Sequence, residues 1–200
     1  MAFISVSELT DIVVMSFFVG FIFSDVFSRR TPSVMLDSEG RPIPSYSVSR
    51  WNWNDIKFAA LATAPAVILH EFGHKIVAML FGMGATFHAA YGWLILGVAL
   101  KIIGFPFIFF VPAYVSIIGN TSPLNYSLIA AAGPFVNALL WLSASLFEKN
   151  MGNMNLSSKQ KALVVLTKQI NKFLFIFNMI PLPGFDGSKV FGGLMRAVGL

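Results

Sequence analysis

His70-Glu71-Phe72-Gly73-His74 lies in a stretch of chain whose flanks, Phe58 to Leu69 and Ile76 to Met83, carry no charge. A run of that kind is confined to few folds. About 20 mostly apolar residues cross a bilayer, and a lone segment does so as a helix because only a helix pairs its own backbone. On that helix the two His lie about 40° apart in rotation and about 6 Å apart along the axis, so both imidazoles face one way. One zinc ion can take a nitrogen from each at about 2.0–2.1 Å, with Glu71 beside it as a candidate general base. Ionisable groups inside apolar spans cost roughly 2.5 kcal/mol or more each, which makes a functional reading the default. The competing reading is a chance match on a packed helix, with both His hydrogen-bonded and inert.

Composition extends the membrane reading to the whole chain. Hydrophobic residues make up 56% and charged residues 12%, against about 25% charged in an ordinary soluble domain. Mean hydropathy is +0.74. Cysteine is absent, which excludes disulfides and thiolate metal sites. The net charge of +5 has no dense basic run behind it, so nucleic acid is not an expected partner. Glu8 and Asp11 stand where a cleavable signal peptide would carry basic residues.

The expected fold is an all-α polytopic membrane protein, in which a three-helix core follows one N-terminal transmembrane helix. Four spans are read: Leu9 to Ser28, Lys57 to Met83, Ser122 to Phe147 and Ala162 to Ile180. Residues 1–56 form the first unit, a helix and a polar loop. Residues 57–200 form the second, the core. The loop from Arg29 to Asp55 carries Pro32, Pro42, Pro44 and Gly40 and reads as exposed connection. Pro65 lies within the second span, where membrane helices tolerate it. Between core helices one and two, Trp93 to Ile103 suits a short helix. Phe107 to Ile118 is rich in aromatic and β-branched residues and suits a re-entrant strand or hairpin. A fifth full helix is the alternative for that region.

Catalytic zinc normally has three protein ligands and one open position. His88, fourteen residues beyond His74, is the remaining His, and Val77 stands where the extended His-x-x-Gly-x-x-His pattern needs Gly. Eight of the nine carboxylates are Glu71 itself or lie near span ends and in the polar loop. Asp186 remains, in a segment where Pro181, Pro183, Gly184 and Gly187 break an apolar helix. The alternative role for Asp186 is N-cap of a tail helix from Gly187 to Val198.

These motifs resemble the site-2 protease family of intramembrane zinc metalloproteases. His70-Glu71-Phe72-Gly73-His74 is similar to its first signature, and Asn178-x-x-Pro181-x-Pro183-x-x-Asp186-Gly187 to its second. Ala132-Gly133-Pro134 with Asn137 is similar to its middle helix. Ser188 departs from a second Gly found in many members. The resemblance covers about Lys57 to Leu200 and implies a minimal form without appended soluble domains. It further implies one zinc per chain on His70, His74 and Asp186, with Glu71 as the base. Asn137 and Asn178 would support substrate or oxyanion, and the partners would be a transmembrane-helix substrate and the surrounding lipid. An unwound substrate could add as a strand to the edge offered by Phe107 to Ile118. Two other functions stay open: a membrane metal transporter or channel, and an inactive relative that only binds helices.

Overall fold

The long uncharged runs do become long helices. In the computed structural model, which describes residues 3–27, 32–36, 42–46, 52–105 and 111–199, α1 covers Val6–Phe27, α2 Trp53–Leu80 and α4 Pro123–Asn150. All three are long and apolar enough to cross a membrane. At about 1.5 Å per residue they reach roughly 33 to 42 Å, against a hydrocarbon core of about 30 Å. Each begins or ends on a local signal. Asn52 caps α2 by accepting from Asn54 N, and Ser122 caps α4 ahead of Pro123. Gly82, at φ 75°, ends α2: Gly82 N donates to Met79 O and Met83 N to Ala78 O, so the last carbonyls stay paired. Pro65 and Pro134 lie inside α2 and α4 without ending them.

α4 shows what the outer faces meet. Leu128, Phe135, Leu139, Leu142 and Leu146 form an exposed stripe along it, and Leu9, Val13 and Phe17 do the same on α1. Soluble monomers rarely present apolar patches of that extent; helices in lipid do.

The fourth expected span is a helix, α5 (Ser158–Asn178), opened by a capping box between Ser157 and Gln160. Lys159, Lys161, Lys168 and Lys172 keep it out of the group apolar enough to span. A short amphipathic helix, α6 (Asp186–Ala197), follows.

The all-α expectation needs correction. β1 (Pro32–Leu36) and β2 (Pro42–Tyr46) pair antiparallel within the polar loop that reads as plain connection. β3 (Gly84–Ala89) and β4 (Ala113–Ile118) form a second antiparallel ribbon, with Phe87 opposite Val115 and Thr86 opposite Ser116. Between them α3 (Tyr91–Ile102) spans only about 18 Å, too short for a fifth crossing. The expected strand thus starts at Ala113, after Pro112 has removed a backbone donor; residues 107–110 lie outside the described residues. Phe87, Ala89, Leu94 and Ala113 pack with Met15, Val19 and Ile22 of α1 into one buried cluster. Val67, Ile68 and Phe72 of α2 pack against the same cluster, so α2 joins α1 and the ribbon on one side to α4 and α5 on the other.

Candidate metal centre

Two glycines bring α2 and α4 together. A Cβ at Gly73 would lie 2.7 Å from the carbonyl oxygen of Ala132, and one at Gly133 would strike His74 Nε2 and lie 2.7 Å from His70 Nε2. Side chains at either position would hold the helices apart. Their absence lets α4 lie close against both imidazoles, with Ile129 and Asn137 at the rear, Nδ1 side of the rings.

Those rear contacts fix the rings. His74 Nδ1 donates to Ile129 O at 2.7 Å, and His70 Nδ1 donates to Asn137 Oδ1 at 2.5 Å. A carbonyl only accepts, so each Nδ1 carries the hydrogen and each Nε2 keeps its lone pair for the front. Asn137 is fully buried, and its Nδ2 donates to Ala66 O at 3.1 Å and Asn171 Oδ1 at 2.8 Å. Asn171 in turn donates to Thr167 O, anchoring the chain of bonds in α5.

In front of the rings stands Asp186. The break at Pro181, Pro183 and Gly184 (φ 95°) turns the chain so that α6 starts at the site. Phe185 occupies the cap position and makes no side-chain cap bond, leaving the Asp186 carboxylate to point at the two His. Asp186 Oδ2 lies 3.1 Å from His70 Nε2 and 3.2 Å from His74 Nε2, and the two Nε2 atoms are 3.1 Å apart.

Three lone-pair atoms in a near-equilateral triangle call for a cation between them. Tetrahedral zinc with ligands at about 2.05 Å has ligand-to-ligand edges of about 3.3 Å, close to the triangle found here. The donor set, two imidazoles and one carboxylate, is also one that suits zinc. His70, His74 and Asp186 are the one such group among the described residues.

Glu71 and Asn178 line the same cavity, of about 790 Å³, which is large enough for a peptide segment. Its other walls include Val19 and Phe23 of α1, Val115 of β4 and Phe173 of α5. Asn137 sits behind His70, outside that lining. His88 is on β3, bonded to Ser116 Oγ at 2.9 Å, and also does not line it. Three contributors escape sequence reasoning. Asn171 stands seven positions before Asn178, hence on the same face of α5, a spacing that could have marked it. Lys189 follows Asp186 by one turn and lines the cavity. Lys75, next to His74, is buried and ion-paired with Glu8, whose carboxylate also accepts from Phe87 N at 2.7 Å. A lysine inside an apolar span was the available signal for that pair.

Over 131 residues the chain is 37% identical to a protein of Methanocaldococcus jannaschii that carries the provisional name zinc metalloprotease. The match takes in 65% of this chain and 66% of that protein, slightly under two thirds of its length. No known family profile matches the chain, and no solved structure does.

Proposed function

We propose that the chain is an intramembrane zinc metalloprotease of the site-2 protease family, cutting peptide bonds within or beside transmembrane helices of its substrates. The observation that carries this reading is the front of the metal centre. Two tautomer-fixed Nε2 atoms and one carboxylate oxygen converge within about 3 Å, on a helix apolar enough to cross a membrane, with Glu71 beside them. When bound, zinc supplies Lewis acidity toward water and the scissile carbonyl. Glu71 accepts the proton that water loses and passes it to the departing amide nitrogen. In this reading Asn178, at the end of α5 and in the cavity wall, donates to substrate. Asn137 gives both its amide hydrogens to Ala66 and Asn171, so its role is to hold His70 rather than to bind an oxyanion.

His70 lies about 15 Å from the C-terminal end of α2, so the reaction takes place at membrane depth. A substrate helix must unwind to expose a peptide bond. The outer edge of β4, in a ribbon of two strands that faces the cavity, can receive the unwound segment.

Purified protein mixed with membrane-helix substrates tests the reading. Cleavage should stop with chelator, return with zinc, and fail in Glu71→Gln, which keeps its metal. Removing a general base costs on the order of 10²–10⁴ in rate. Zinc transport without cleavage would favour a transporter, and binding without cleavage an inactive relative.

A further inference from the structure

Among the described residues lining the metal cavity, Lys189 is the single lysine or arginine. It sits one turn beyond Asp186 on α6, so both side chains project from one face. Its Nζ is 3.9 Å from Asp186 Oδ1, the oxygen turned away from the His pair, and its side chain is 49% exposed. That separation exceeds hydrogen-bond reach, so Asp186 does not immobilise the ammonium, and a four-carbon stem lets it swing within the cavity.

Charge gives this placement a purpose. The carboxylates of Glu71 and Asp186 already balance a divalent cation. Hydrolysis breaks the C–N bond, forms a C–O bond from water, and delivers both water protons to the amine. The other fragment is a carboxylate, made in a cavity whose walls are mostly apolar. Once the ammonium fragment departs, the carboxylate's negative charge is in excess, and a cation within a few ångströms offsets it. We infer that Lys189 binds the negatively charged oxygen of the cleaved carbonyl, first as charge develops on it and then as the new carboxylate terminus. This rests on the proteolytic reading above, and it makes Lys189 a substrate-contacting residue distinct from the metal ligands and from Glu71.

The experiment uses the full chain, zinc-loaded in detergent, and the peptide acetyl-Leu-Leu-Phe as free acid and as carboxamide. Binding is read by equilibrium dialysis beside zinc content. Wild type should prefer the acid by tenfold or more. Lys189→Met should erase about tenfold of that preference at unchanged zinc content, and Lys189→Arg should keep most of it, as expected for a charge-assisted contact. An unchanged acid preference in Lys189→Met, or no preference in wild type, would overturn the assignment. So would loss of zinc from Lys189→Met, which would make the residue a prop for Asp186. If wild type shows no chelator-sensitive cleavage of a membrane helix, the proteolytic reading itself fails and takes this assignment with it.

Discussion

Gly133→Ala is the smallest change that should empty the metal centre. The added methyl would strike His74 Nε2 and stand 2.7 Å from His70 Nε2, whereas ordinary contact begins at 3.4 Å. His70 Nε2 must therefore retreat by about 0.7 Å, the difference of those two distances, and His74 by more. Metal–ligand distances tolerate about 0.2 Å. Neither ring can yield by rotation without breaking its Nδ1 bond, to Asn137 or to Ile129 O. Loss of one such supporting bond typically lowers metal affinity 10- to 100-fold, so displacing both ligands should cost at least 100-fold. Helix propensity works the other way, because alanine in a helix interior is favoured over glycine by roughly 0.5–1 kcal/mol. Gly192→Ala, where a Cβ meets nothing within 4 Å, is the control. Zinc affinity by competition with a chromogenic chelator, alongside helix content by circular dichroism, reads the outcome. A folded Gly133→Ala protein with wild-type zinc affinity would refute the geometry.

Other substitutions test the remaining parts. Asp186→Asn should lose zinc and cleavage together while His88→Ala keeps both; metal content of the purified variants decides, since Asn would serve nearly as well as a mere cap. Asn137→Ala should weaken zinc 10- to 100-fold, and Asn171→Ala less, because Asn171 touches His70 only through Asn137. Lys75→Met strands the buried Glu8 carboxylate and should destabilise the protein by about 3–5 kcal/mol, read by unfolding in mixed micelles. Adding Glu8→Gln to Lys75→Met should restore much of that loss.

The parts of this protein legible from sequence are those whose signal is local. The i, i+4 spacing of His70 and His74 implies a shared helix face, and the Pro and Gly residues around Asp186 announce a chain break where a side chain can turn inward. Pairing is not local, and there the reading falls short. Phe107 to Ile118 looks extended, but nothing in it names Gly84–Ala89 as its partner. The prolines at 32, 42 and 44 suggest loop, yet in a two-stranded ribbon every strand is an edge, the one sheet position that accepts proline. α5 reads as a span from its Leu, Ile and Phe content, while its lysines set it apart from the three apolar helices. Lys189 carries no periodic signature and Asn171 only its seven-residue spacing from Asn178, so the folded chain is what brings them to the site.

The order in which the metal centre is assembled has a consequence for synthesis. His70 and His74 are made early, their supports Ile129, Gly133 and Asn137 later, and Asp186 only with α6, 116 residues after His70. A nascent chain that has inserted α2 and α4 holds two aligned imidazoles and no third donor. Two ligands bind zinc far more weakly than three, so the ion is captured in earnest only when α6 docks. Metal binding then supplies free energy for seating that short helix. On the proposed proteolytic reading, cleavage would therefore begin only after α6 has docked, however long α2 and α4 have been in place.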